Sequence, residues 1–288
     1  MRTRTHSIRS WRALRAGCLV AALAVLVAAC NDDDDFNIGR NFGRAVYGID
    51  NTNNLIRFGS LRPDRVIQRG VISGLQPGEN IVGIDFRPAD GRLYALGSSN
   101  RLYVVDTIAA SAVQVGIGNF NPALDGTMFG VGFNPVADRL RVQSDSGQSL
   151  RINPNDGTVS AVDSTLTYAP GDAGTGSIPR IVGTAYTGSV NPAPASTVLF
   201  SIDSNRDALV TLPDPNNGLL QTVGGLGVST TEQVGFTIAG NDGTAFATLT
   251  QEGTRRSRLY EINLATGSAT LIGTVGHNNP IHGITVVP

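Results

Sequence analysis

The side chains that could do chemistry are few. His277 and His282 stand five apart in "GHNNPIHG", and the chain's third histidine is His6. Either could bind a ligand or move a proton near neutral pH. With Pro280 between them they do not share a helical face, as a zinc pair on a helix would. A core histidine packed between strands is the plain expectation for His282. Asp85, in "IVGIDF", could meet a cation or a polar ligand, and a hydrogen-bonded structural aspartate is the plainer alternative. Arg139 and Arg141, in "DRLRVQSDSGQSLR", could hold an anion. Arginines inside strands need partners, and Asp138 and Asp145 are the carboxylates at hand for a structural network. Tyr168, Asp172 and Arg180 sit on "STLTYAPGDAGTGSIPR", the longest Gly/Ser/Pro-rich connection, where a mobile recognition loop is the functional expectation and a surface loop the plain one.

None of this assembles into a catalytic set. There is no nucleophile–base pair, phosphate loop or metal cluster, so no catalytic residue, metal or cofactor is assigned. A sugar hydrolase needs two convergent carboxylates, which Asp85 would have only if a loop residue such as Asp125 or Asp172 joined it. "DSNRD" places Asp203, Asn205 and Asp207 at alternate positions, as part of a calcium loop would. Ala208 stands where that loop needs glycine, so a hairpin turn is expected, and "DNTNN" after Ile49 reads as the same turn.

The N-terminus restricts the setting. Residues 1–17 carry five arginines and no acid, and an apolar run, "CLVAALAVLVAA", follows from Cys18 to Ala29. That run is too short for a membrane-spanning helix and has the form of a signal peptide. It ends in "VAAC", which resembles a bacterial lipobox, so Cys30 is the expected lipidation site, with plain signal cleavage as the alternative. Residues 1–29 then form the signal, 30–43 the lipidated cysteine with an acidic tether, and 44–288 a single domain. Asp32 to Asp35 repel one another and favour a solvated tether; calcium binding there has no ligand geometry to support it. The expected location is the bacterial cell envelope, outside the cytoplasm, at the periplasmic face or the cell surface. The lipid would supply the membrane contact.

Beyond Cys30 the chain has no cysteine, which excludes disulfides and thiolate chemistry there. Its 22 basic residues are all arginine; subtracting the five of the signal leaves 17 against 23 acids, a net charge of −6. A nucleic-acid partner normally needs a basic face and is not expected.

The elements that must position these residues come from an internal repeat. "IVGIDF", "MFGVGF", "IVGTAY", "QVGFTI" and "IHGITV" share a glycine, at 83, 130, 183, 235 and 283. A large apolar residue follows three positions later. The period-two alternation marks a strand in each. Three further apolar runs follow each of the first four, separated by turn chemistry such as Asp156-Gly157 and Thr266-Gly267. Four antiparallel strands in about fifty residues describe a β-propeller blade. The fifth repeat stops after one strand, while "RAVYGID", "NLIRFG" and "RVIQRGVI" near the start lack a first strand. Joining the two completes an all-β, five-bladed propeller of four-stranded antiparallel blades, with the C-terminal strand as its clasp.

"GIDFRPADGRLYAL", "FNPVADRLRVQSDSGQSLRINPNDG" and "LYEINLATGSATLIGTVG" also resemble a bacterial family known only as domain of unknown function 4394, here in a lipoprotein form. That resemblance implies a secreted, β-rich repeat domain with no established activity. The functional expectation is a lipid-anchored, monomeric binding or scaffolding module whose ligand is a protein, glycan or small molecule. The alternatives are an envelope hydrolase or lactonase-like enzyme at one mouth of the axis, and a purely structural envelope component.

Overall fold

The structure, a computed structural model, describes residues 42–288; the signal, Cys30 and the four aspartates of the tether lie outside the described residues. The described chain contains strands and turns but no α-helix, and its strands form five sheets. In chain order, the first three strands are β1 (Ala45–Asp50), β2 (Asn54–Gly59) and β3 (Arg62–Val71). Blade one follows as β4 (Ile81–Phe86), β5 (Leu93–Gly97), β6 (Arg101–Asp106) and β7 (Ser111–Gln114). Blade two is β8 (Phe129–Asn134), β9 (Arg139–Ser144), β10 (Ser149–Ile152) and β11 (Val159–Val162). A two-residue strand, β12 (Thr167–Tyr168), precedes blade three, which is β13 (Ile181–Tyr186), β14 (Leu199–Asp203), β15 (Ala208–Leu212) and β16 (Leu219–Gly225). Blade four is β17 (Val234–Ile238), β18 (Ala245–Leu249), β19 (Arg258–Ile262) and β20 (Ala269–Thr274). The last strand, β21 (Ile281–Val286), pairs antiparallel with β1, Val46 opposite Val286, and so completes blade five.

The protein is therefore a five-bladed propeller closed by its C-terminal strand. One detail departs from four antiparallel strands per blade. β12 adds in parallel to the outer strand of blade three, with Thr167 beside Leu219 and Tyr168 beside Leu220. The long connection spends two residues covering an edge that would otherwise be left unpaired.

The repeated glycines have a steric cause. A Cβ on Gly83 would lie 2.4 Å from Val131 Cγ2, one on Gly130 would lie 2.3 Å from Thr184 Oγ1, and one on Gly183 would lie 2.9 Å from Phe236 Cβ. Around the rest of the ring, a Cβ on Gly235 would lie 2.7 Å from the Ile284 backbone nitrogen, while one on Gly283 would lie 2.9 Å from Ile49 Cγ2 of its own blade and in ordinary contact, 3.5 Å, with Ile84. Each glycine thus faces the residue after the corresponding glycine in the next blade. Five inner strands can approach one axis only where a side chain is missing.

The apolar core lies between sheets. Clusters of buried aliphatic and aromatic residues join blades five and one, one and two, three and four, and four and five. The remaining cluster lies mainly within blade three, with Leu166 and Tyr168 from the preceding connection. Between blades two and three the contacts are polar instead. Gln143 Oε1 accepts from Thr184 Oγ1 at 2.8 Å and Ser201 Oγ at 2.7 Å, all three side chains being buried.

Candidate functional site

Three places could take a ligand: the two ends of the axis and the gaps between blades. Near the starts of the inner strands the axial cavity has a volume of only about 10 Å³ and is lined by Phe129, Val182, Val234 and His282 among others. His282 is buried, and its Nε2 donates to the Ile81 carbonyl at 2.9 Å, bridging blade five to blade one. Burial, only partly offset by that hydrogen bond and by Asp50, lowers its affinity for a proton. Its place among valines and a phenylalanine is thus compatible with a neutral ring that has found one acceptor.

The other axial cavity, of about 10 Å³, is lined by Asp85 with Thr184, Ala185, Ser189, Thr237 and Pro288 among others. Asp85 Oδ1 accepts from Thr285 Oγ1 at 2.7 Å and from the Phe86 amide at 2.9 Å, while Oδ2 accepts from the Phe133 amide at 2.7 Å. One carboxylate thereby ties blade one to blades two and five. Burial outweighs these three hydrogen bonds and pushes the Asp85 carboxyl up to about 6. No second carboxylate side chain lines this cavity. The Asp125 amide is held by Gln148 at 3.0 Å, and Asp172 accepts from the Thr222 amide and hydroxyl at 2.7 and 2.6 Å. The two carboxylates a glycosidase requires are not assembled. Among the described residues no group of three or more His, Cys, Asp or Glu side chains is disposed to hold a metal.

His277 lies apart from His282. Its Nε2 donates to Asp50 Oδ2 at 2.7 Å, and its Nδ1 accepts from Gln68 Nε2 at 2.9 Å, the assignment that satisfies all three side chains. Asn279 donates to the same Asp50 oxygen at 2.9 Å. Burial would raise the Asp50 carboxyl, but hydrogen bonds from Asn279, His277, Asn54 and Thr52 outweigh it and hold the group well below the usual carboxylate range. This network fastens the segment before β21 to the end of β1, so His277 reinforces the clasp. Asp203, at the equivalent point of blade three, accepts from Tyr168 Oη at 2.5 Å, the Arg180 amide at 3.0 Å and the Asn205 amide at 2.9 Å. "DSNRD" and "DNTNN" are accordingly turns closed by their first aspartate.

Arg141 has different partners from the carboxylates nearest to it in sequence. Arg141 binds Asp163 at 2.8 Å, Ser149 Oγ at 2.8 Å, Tyr186 Oη at 2.7 Å and Asn216 Oδ1 at 3.2 Å, so its guanidinium is buried and occupied. Asp138 instead pairs with Arg87, and Asp145 accepts from the Thr127 amide at 2.8 Å. Arg139 donates to the Asp138 carbonyl at 2.8 Å. The strand register decides this: Arg141 stands opposite Arg151 on β10, and Asp163 just beyond β11 reaches both guanidinium groups.

The connection carrying Tyr168, Asp172 and Arg180 is tied down rather than free. Tyr168 is buried on Asp203; Thr222 and Gly174 donors, outweighing burial, hold the Asp172 carboxyl below its ordinary value; Arg180 pairs with Glu232 at 2.6 Å.

The strand pattern does not announce a wide cleft at the rim of the ring. A cleft of about 880 Å³ opens between blade one and the Pro154–Asn155 tip of blade two. Val104, Ile108, Val113 and Val115 give it apolar walls, and Arg92 and Gln114 contribute polar groups. Ile108 and Val113 are 69% and 71% exposed, and Ile117 just beyond is 99% exposed. The signal was present in "DTIAASAVQVGIG", where apolar residues occupy outward positions of an outer strand. Period-two alternation marks a strand but does not by itself say which face points out.

The fold and these sites define the class: a closed five-bladed propeller with a sealed axis and one wide cleft between blades. Residues 54–285 match the family described as Domain of unknown function (DUF4394), and the chain belongs to that family. No curated protein matches it in sequence. Among solved structures, a chain of a nidogen/laminin complex is 13% identical, with 85% of this chain and 99% of that one covered and a TM-score of 0.47. Myxococcus xanthus glutaminyl cyclase is 13% identical, covering 80% and 95%, with a TM-score of 0.42. Kuenenia stuttgartiensis hydrazine synthase is 16% identical with a TM-score of 0.41; the match covers 74% of this chain and 53% of that one. Likenesses this remote carry no argument about this chain.

Proposed function

We propose that this domain is a non-catalytic binding module of the cell envelope, held at a membrane by lipid on Cys30, whose ligand occupies the cleft between blades one and two. One observation carries the choice of site. The cleft measures about 880 Å³, against about 10 Å³ for each axial cavity. Sites for small organic ligands run to roughly 300–1,000 Å³, so the axial cavities are too small, and the cleft is twice the size of a second hollow in that range, about 440 Å³ lined by Pro88, Asp90, Asn191 and Val287 among others. Its aliphatic walls with a few polar groups suit a ligand that is apolar along one side. The hydrolase or lactonase-like alternative would need partners for Asp85 that its cavity does not supply.

Soaking crystals of the domain with a library of small organic fragments tests the reading. Hits should gather against Val104, Val113 and Pro154. Hits scattered evenly over the surface, or gathered at the Asp85 mouth, would overturn it.

A further inference from the structure

The face of blade one that looks into the cleft is laid out in rows. Tyr94, Val104 and Val113 stand side by side across β5, β6 and β7, each opposite the next in the strand register. Strand side chains alternate, so the next row on that face is Arg92, Asp106 and Ser111, with Asp106 opposite Ser111. Leu93 and Val105 form the last pair between β5 and β6, which leaves Arg92 and Asp106 on either side of the next step. They are the one basic and the one acidic side chain of the cleft lining.

Opposite charges placed across two strands attract, yet these two are not joined, because each is turned to its own hairpin. Arg92 donates from Nε and Nη2 to Asp90 Oδ2 at 3.1 and 2.8 Å, and its side chain is 56% exposed. Asp106 Oδ1 accepts the Ala109 and Ile108 amides at 2.9 and 2.8 Å, which hold its carboxyl below the ordinary value. Among the described residues, Arg92 Nη1 and Asp106 Oδ2 have no hydrogen-bond partner. A cation and an anion thus stand side by side, each with one open position, beside an aliphatic row.

We propose that the ligand of the cleft is an aliphatic dipeptide, its free carboxylate on Arg92 Nη1, its free ammonium on Asp106 Oδ2 and its side chains along Val104 and Val113. The inference rests on the reading of the cleft as the binding site. Neighbouring strands lie about 4.8 Å apart, and one same-face step along a strand is about 7 Å. A dipeptide spans at most about 7 Å, enough for its ends to serve both groups while a side chain reaches the aliphatic row. Each further extended residue adds about 3.5 Å, which carries one end past its partner. A ligand with a single charge leaves the other protein charge stripped of water and unpaired, a cost that a zwitterion avoids.

Leucyl-leucine is the probe, titrated into the protein carrying labelled valine and isoleucine methyl groups and followed by NMR. N-acetyl-leucyl-leucine lacks the ammonium, and leucyl-leucinamide lacks the carboxylate. Leucyl-leucine should shift the methyls of Val104, Ile108 and Val113 with a Kd at least tenfold below that of either blocked peptide. Equal Kd values at those methyls would overturn the zwitterion and leave the cleft as the site. No shift from any of the three would overturn the proposal too, and fragments gathered in the cleft of the crystals would then show that the cleft reading survives it. Two variants assign the ends. Asp106→Asn keeps the Oδ1 acceptor for both amides, and Arg92→Gln alters an exposed side chain, so both should melt like the parent. Arg92→Gln should bind leucyl-leucine and leucyl-leucinamide within twofold of each other while still rejecting the acetylated peptide. Asp106→Asn should do the converse. A variant that weakens all three peptides by one factor would show a wall residue and not a partner for either end, and would overturn that contact.

Discussion

The boundary between blades two and three is built unlike the boundary between blades one and two. Between two and three the middle is polar: Arg141, paired within blade two to Asp163, reaches Tyr186 and Asn216 of blade three, and Gln143 accepts from Thr184 and Ser201. Its rim is closed, because Ser164 donates to the Asn216 carbonyl and β12 covers β16. Between one and two, polar ties (Arg87 with Asp138, Asp85 with the Phe133 amide) lie toward the axis, the middle is apolar, with Tyr94 edge-on to Phe133 at 5.2 Å, and the rim stands open as the cleft. A buried polar network demands partners in fixed directions, found here for all its groups but Gln143 Nε2 and Arg151 Nε, and its hydrogen bonds hold the two sheets together. Apolar contacts make no such demand, so two blades can pack near the axis and splay at the rim. A binding site between blades is therefore more readily opened at an apolar boundary than at a polar one.

Substitutions that break either boundary should rank accordingly. The largest effect is expected from Arg141→Ala, which strands Asp163, 4% exposed, with only Arg151 as an ionic partner. Removing one member of a buried pair costs roughly 3–5 kcal/mol, readable as a lowered urea midpoint. A loss under about 1 kcal/mol would show that the polar boundary is not what holds blades two and three together.

Next come two glycines that make the same close approach at the two boundaries. A Cβ on Gly130 would meet the Gly183 carbonyl carbon at 2.8 Å, which is backbone, as well as Thr184. A Cβ on Gly83 would meet only the Val131 side chain. Gly130→Ala should cost about 1–3 kcal/mol as overpacking and should exceed Gly83→Ala. The reverse order in thermal melts would contradict the idea that the polar boundary is the less yielding one.

Asp85→Asn comes third. It removes a carboxylate that accepts from Phe133 of blade two and Thr285 of blade five, leaving a donor amide against one of those groups, at roughly 1–3 kcal/mol. Its pH dependence is distinctive. The folded carboxyl is raised from 3.8 to about 6, so between those values the native state binds more protons than the unfolded chain. Stability from this group therefore falls as pH rises through that window and is constant above and below it. The wild type minus Asp85→Asn stability difference should decline from pH 4 to pH 6. A difference that instead rises would mean the carboxylate is stabilised rather than strained at the axis.

The smallest effect on stability is expected in the cleft. Val113→Ser changes an exposed side chain and should shift stability by no more than about 0.5 kcal/mol, while weakening any fragment found there. A large destabilisation would mark the cleft wall as core and the opening as closed in solution.

Much of the architecture was legible because it repeats. Gly83, Gly130, Gly183, Gly235 and Gly283 recur in register, and the half-repeats at the two ends fit each other, so blade number and the clasp by β21 followed from spacing. The partners of Arg141 did not, because Asp163 approaches it through strand pairing and not through nearness in sequence. His282 was expected as a core residue, yet its acceptor, the Ile81 carbonyl, belongs to the neighbouring blade. The cleft was invisible for a related reason: its floor is blade one, but its far wall is the Pro154–Asn155 tip of blade two.

The sequence by itself determined five units, their strand order, the closure and the scarcity of catalytic side chains. Those depend on period-two patterning and on steric exclusion at glycine, both local properties. Only the tertiary structure decided that the axis is sealed and that blade two binds blade three through buried hydrogen bonds but leaves blade one at the rim. Each of these depends on distances between residues on different sheets, which ring closure sets and no single repeat contains.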